Sequence, residues 1–146
     1  MIALIQRVSE ARVSVDEEVV AAIGRGVLAL IGVRRADNDA AVERLLERLL
    51  SYRIFADSDG RMNLSVRDVA GGLLLVPQFT LAADTHKGTR AGFSTAAQPE
   101  EARRLFTALL DQARSAYAPV SAGVFGAHMK VALVNDGPVT FWLDTG

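Results

Sequence analysis

The sequence predicts an α+β domain spanning residues 1–146: a strongly curved antiparallel sheet, or a partly closed β-barrel, covered by two helices. Three observations predict it. Short apolar or alternating runs recur as strands at both ends of the chain and in its middle. Two stretches with helical periodicity interrupt them. Turn residues separate the elements at short intervals, as a single layered domain requires. A chain of 146 residues, half of them hydrophobic, is long enough to bury a real core and too apolar for disorder.

Residues 2–15 read as one long strand, with Val13 and Val15 alternating against Arg12 and Ser14. Asp16-Glu17-Glu18 is the turn. Val19–Ile23 and Val27–Val33 are two more strands, split by Gly24-Arg25-Gly26, and the meander order predicts antiparallel pairing. Asp37 or Asn38 caps the first helix, whose apolar stripe is Val42, Leu45, Leu46, Leu49 and Leu50. Its opposite face, with Glu43, Arg44, Glu47 and Arg48, reads as solvated. Tyr52–Phe55 is a short strand. Asp57-Ser58-Asp59-Gly60 reads as a turn, because a calcium loop would need a distal glutamate where Asp68 stands.

Leu73–Val76 is a continuous apolar run and so a buried strand, ended by Pro77. Residues 82–97 form a long polar loop, of the kind that carries function or moves. The second helix starts at Pro99, a residue suited to a first helical position, and runs to about Tyr117 with Leu105, Phe106, Leu109, Leu110 and Ala113 inward. Two last strands, Met129–Val134 and Val139–Leu143, form a hairpin at Asp136-Gly137.

Composition narrows the function. With no cysteine there is no disulfide framework and no thiolate chemistry, which suits a reducing cytosol. The amino-terminal apolar stretch is too short for a signal peptide, and no apolar run approaches a membrane span. A net charge of −1 argues against diffuse nucleic-acid binding, so any grip on RNA is local. Of the 16 basic residues 14 are arginine, the better residue for a phosphate fork. Lys87 and Arg90 in the long loop are either phosphate partners or solvated charges.

The usual catalytic sets are missing. His86 and His128 lack metal-ligand spacing and read as a loop and a surface residue. There is no nucleophile elbow and no Walker loop. What remains is hydroxyl and backbone. Thr80 is a nucleophile without an adjacent base, or a hydroxyl that satisfies nearby backbone. Gln78 and the amides of Phe79 and Thr80 can form an oxyanion site. Such an enzyme works by positioning, and the substrate is the natural lender of its acid–base group. Gly137-Pro138 is equally distinctive: proline offers no N–H to a sheet, restricts the glycine before it, and makes a cis bond affordable.

Four stretches together carry a resemblance. They are Met1-Ile2-Ala3-Leu4-Ile5-Gln6-Arg7-Val8, Tyr52-Arg53-Ile54-Phe55 with Met62-Asn63-Leu64, Gln78-Phe79-Thr80-Leu81, and Asn135-Asp136-Gly137-Pro138-Val139-Thr140-Phe141-Trp142. In order and over the whole chain they resemble the bacterial D-aminoacyl-tRNA deacylases. The resemblance implies a cytoplasmic, cofactor-free and metal-free homodimer. It implies hydrolysis of the ester between a D-amino acid, or glycine mischarged on tRNA(Ala), and the 3′ end of tRNA. By resemblance Gly137-Pro138 is a cis pair inserted into the partner's site, where it rejects L side chains, and Arg7 holds it. Gln78, Phe79 and Thr80 match the motif lining that site. Phe125 and Met129 match positions near the terminal adenine. The tRNA 2′-hydroxyl assists catalysis. One departure is Pro77, where many relatives have serine: proline supplies neither hydroxyl nor N–H.

Overall fold

A computed structural model describes all residues 1–146. The element order is β1 (Ile2–Val15), β2 (Glu18–Ile23), β3 (Gly26–Gly32), α1 (Asp39–Ser51), β4 (Phe55–Ala56), β5 (Met62–Leu64), β6 (Gly72–Pro77), α2 (Pro99–Ala116), β7 (Val120–Ala122) and β8 (Lys130–Asp144), with a 3₁₀ turn at Phe79–Ala82. The α+β class and the two covering helices stand as the sequence predicts.

The sheet is mixed rather than antiparallel throughout. Its order is β2-β1-β3-β6-β7, with β8 on the other side of β1. The first three strands do not form a meander. Instead β1 is central, pairing antiparallel with β3 over residues 2–8 and with β2 over residues 11–15. The β3–β6 and β6–β7 pairs are parallel. A parallel pair needs a crossover, and α1 and α2 supply the two crossovers. The sheet curls until β7 meets β2, where Ser121 Oγ donates to the Ala22 carbonyl at 3.4 Å. This is the nearly closed barrel.

Two cores lie on the two faces of this sheet. Met1, Ala3, Ile5, Val27, Ala29, Ile31, Leu73 and Leu75 face the helices and meet Leu45, Leu49, Leu105 and Leu109. Val8, Ala11, Val13, Ala21, Leu28, Leu74 and Val76 fill the barrel interior. Coverage on both faces is why β3 and β6 are continuously apolar. Gly26 pairs with Gly72 across this sheet, and a Cβ on Gly26 would overlap the Gly72 backbone.

Asn38 caps α1, its side chain accepting from the Ala41 amide at 3.0 Å. Pro99 opens α2. Leu110 is half-buried rather than inward. The strand expected at Tyr52–Phe55 shrinks to Phe55–Ala56, because its only partner is the three-residue β5. Asp57 closes the following turn by accepting from the amides of Asp59 and Arg61 and from Asn63 Nδ2. No helix is long and apolar enough to cross a membrane.

The predicted terminal hairpin does not exist. Residues 130–135 and 140–144 belong to one strand, β8, and both halves pair antiparallel with β1. Val8 pairs with Asn135 and Gln6 with Thr140, so Asp136–Val139 bulge out opposite Arg7. An Asp-Gly pair serves a bulge as well as a turn, and the 14-residue β1 is a template long enough for both halves. Proline is tolerated there because a bulged position owes no N–H to the ladder. Gly137–Pro138 and Ala118–Pro119 are cis peptides. The outer edge of β8 is unpaired.

Candidate functional site

Buried β6 delivers Gln78 to the surface. Its Leu74 and Leu75 have no exposure, and the Gln78 amide donates to the Ile31 carbonyl at 2.7 Å. The chain then turns tightly, with Leu81 N donating to Gln78 O and Ala83 N to Thr80 O, both at 3.2 Å. The Phe79 and Thr80 amides open this 3₁₀ turn and lie outside its ladder, so they remain available. Gln78 Nε2 donates to Thr80 Oγ1. No carboxylate, histidine or lysine hydrogen-bonds to Thr80, so the side chains around it provide no base.

Thr80 lines a cleft of about 570 Å³ together with Ile2, Arg34, Asp84, His86 and Trp142. Phe79, 62 % exposed, lies against Phe93 with ring centroids 5.3 Å apart. Trp142 is 52 % exposed. Large aromatics left this open beside a cleft suit a flat ligand.

Phe125 and Met129 sit on the strap after β7. The Gly123 amide donates to Leu75 O at 2.9 Å, which fastens the strap to β6. A Cβ on Gly123 would lie 2.7 Å from Met129 Sδ and 3.5 Å from Pro77 Cδ, so Met129 and Pro77 flank the same glycine. Phe125 packs on Phe106, with centroids at 6.4 Å, and under the Arg103 guanidinium at 4.8 Å. Met129 thus sits near Val76 and Pro77, at the end of β6.

Gly137-Pro138 is elsewhere. Arg7 Nε donates to Asp136 O and Arg7 Nη1 to Ile54 O, each at 2.8 Å. Asn135 closes the bulge from the other side, accepting from Val139 N at 2.7 Å and donating to Thr140 Oγ1 at 2.9 Å. Gly137 has φ +146°, and a Cβ there would meet Val139 Cγ2 at 2.7 Å. Trp142 reaches the Thr80 cleft, but Arg7, Asn135 and Val139, the residues that hold or meet the Gly137-Pro138 bulge, do not line it. Within one chain, no hydrogen bond ties the Gly137-Pro138 bulge to Gln78–Thr80.

Sequence reasoning passed over Asp84, His86 and Trp142 as site-lining residues. His86 is an exposed loop residue, as its loop position suggests, but its amide and ring both contact Asp84 Oδ1, at 3.0 and 2.9 Å. Those two hydrogen bonds hold the Asp84 carboxyl below the usual aspartate range. An Asp-x-His spacing was the available signal. No group of three or more His, Asp or Glu side chains gathers anywhere in the fold.

Comparisons with known proteins show the family and the fold. The family described as D-Tyr-tRNA(Tyr) deacylase matches residues 4–144. The D-aminoacyl-tRNA deacylase of Thioalkalivibrio sulfidiphilus is 65 % identical over 144 residues, 99 % of this chain and 97 % of that protein. Among solved structures, the c-Myc DNA Unwinding Element Binding Protein superposes with a TM-score of 0.95 at 38 % identity, over 100 % of this chain and 99 % of the other. A structure described as "Structural Analysis of a probable eukaryotic D-amino acid tRNA deacylase" shares the fold, with a TM-score of 0.83 at 18 % identity over 97 % of both chains. With a family match across nearly its whole length and close relatives at this identity, the chain belongs to the D-Tyr-tRNA(Tyr) deacylase family.

Proposed function

We propose that this chain is a D-aminoacyl-tRNA deacylase, a hydrolase that cleaves the ester between a D-amino acid and the 3′ end of tRNA, and that it acts as a cytoplasmic homodimer of single-domain subunits. The carrying observation is the arrangement just described. Gly137-Pro138 is held by Arg7 on an edge strand with a free side, and neither residue lines the cleft that Thr80 lines in its own chain. A second copy seated on that edge is the simplest way to unite the two.

In this reading Gln78 and the amides of Phe79 and Thr80 stabilise the oxyanion, and Phe125 and Met129 lie near the terminal adenine. The Gly137 and Pro138 carbonyls of one subunit wall the other's site. A rigid wall collides with an L side chain and leaves room for a D one, and glycine, having no side chain, escapes it; glycyl-tRNA(Ala) is therefore also a substrate. No base touches Thr80, so the vicinal 2′-hydroxyl of the terminal ribose takes the proton-transfer role. The 3′ acceptor end is the part of the tRNA that is gripped. Pro77 is tolerated, because nothing in this scheme uses a hydroxyl there.

The test is deacylation of matched D-Tyr-tRNA and L-Tyr-tRNA with chelator present. Release from the D substrate alone is expected. Equal release from both would remove the wall, and release from neither would remove the enzyme. A second reading, nucleic-acid binding without turnover, is favoured by one observation, the close backbone match to a protein described as binding a DNA unwinding element. Retention of intact substrate at excess enzyme would select it.

A further inference from the structure

A second cleft of about 440 Å³ adjoins the Thr80 cleft, and Arg34 and Thr95 line both. This second cleft carries three arginines, Arg34, Arg35 and Arg44. They differ in what neutralises them. Arg34 is paired with Asp144. Arg35 is exposed, and its guanidinium makes no hydrogen bond and no ion pair. Arg44 is also exposed and reaches only the Thr145 carbonyl, at 3.4 Å.

Two neighbouring side-chain carboxylates, Asp37 and Asp39, are already engaged. Asp37 lines the cleft, but its oxygens accept from the Met1 amine and the Arg34 amide. Asp39 on the next turn pairs with Arg104. Several other arginines are also in use: Arg7 holds the β8 bulge, while Arg25, Arg48 and Arg103 lie over aromatic rings. Two guanidinium groups without a side-chain carboxylate partner therefore stand in a recess that shares Arg34 and Thr95 with the Thr80 cleft, on a chain whose net charge is −1.

A polyanion whose end is seated at Thr80 must leave the site through an adjoining surface, and arginine forks match phosphate geometry. We infer that Arg35 and Arg44 bind phosphodiesters of the tRNA strand just upstream of the terminal adenosine. This deepens the deacylase reading and rests on it. It also explains how a chain without a broad basic face holds RNA: the charge is concentrated in one recess beside the chemistry.

The experiment is binding of uncharged tRNA, followed by fluorescence anisotropy over a series of salt concentrations, for the parent, R35A/R44A, R35K/R44K and R61A/R67A. The last pair removes two exposed arginines outside both clefts. R35A/R44A is expected to weaken binding by about tenfold or more and to lower the slope of log affinity against log salt by about 1.5–2, the loss of two phosphate contacts. R35K/R44K keeps the parent's slope, because the charges remain. R61A/R67A changes neither quantity.

A parental slope in R35A/R44A overturns the inference, as does an equal loss in R61A/R67A or no measurable binding by the parent. The deacylase reading fails separately. A parent that binds tRNA with the arginine-dependent slope, yet releases no D-amino acid, sinks that reading and leaves the recess in place.

Discussion

Gln78–Thr80 follows a strand whose first five residues are buried, whereas Asp136–Val139 protrudes from an edge strand and is half-buried at most. The first segment is placed by the core: β6 sits between β3 and β7, and the turn after it inherits their position. The second is placed by two side chains, Arg7 and Asn135, which bond to the carbonyls and amides that the bulge takes out of the ladder. Position set by a core fails only when the fold fails. Position set by a few hydrogen bonds can be lost while the fold survives.

Leu75→Ala probes the first kind of placement. It should cost about 2–5 kcal/mol of stability, seen as a lower denaturant midpoint, with deacylation per folded molecule retained. Loss of specific activity at full folding would break the contrast. Gly137→Ala probes the second. A side chain at φ +146°, against Val139 and Arg7, displaces the corner. Activity on D-Tyr-tRNA should fall by about 100-fold, the effect of an ångström-scale misplacement, in a protein that still melts cooperatively.

Arg7→Lys is a milder probe. A lysine ammonium cannot span the Asp136 and Ile54 carbonyls as the guanidinium does. Activity should drop about tenfold, consistent with the loss of one charge-assisted hydrogen bond at the low end of its range, about 1.5 kcal/mol. Asn135→Ala removes the acceptor of Val139 N and should cost about 1 kcal/mol, read by hydrogen exchange at Val139 rather than by global melting.

The smallest effect is at the cleft mouth. Bonds from the His86 amide and ring depress the Asp84 carboxyl in the folded state. Its contribution is therefore present above the unfolded-state value and is lost as pH falls through the lower folded one. A carbon-detected NMR titration should place the Asp84 midpoint below that of an ordinary aspartate, and His86→Ala should move it part of the way back, since the backbone bond remains. An unshifted midpoint in the parent would remove the Asp84–His86 contact from the site.

Much of this was readable in the residues. The stripe Val42, Leu45, Leu46, Leu49 and Leu50 is buried as its period demands, and Leu73–Val76 is the buried strand its apolar run describes. The abrupt exit of the chain at Gln78-Phe79-Thr80 after that strand is legible from Pro77, which ends the apolar run. The Asp136-Gly137 hairpin was not a sound reading, because Asp-Gly chemistry is shared by turns and bulges and only the partner of the following strand decides between them. Neither were the arginine recess and the Asp84–His86 pair beside Thr80 visible: on α1, Arg44 has the spacing of any solvated face.

The sequence alone determined what local forces determine: two amphipathic helices, the first capped by Asn38 and the second opened by Pro99, the buried runs, the tight turns and the motifs of a deacylase. Periodicity and capping act over a few residues, so they are written locally. Only the tertiary structure decided the mixed strand order, the single bulged strand β8 and the hold of Arg7 on its bulge. Those depend on contacts such as Arg7 with Asp136, 129 residues apart, whose formation is a property of the whole packed chain.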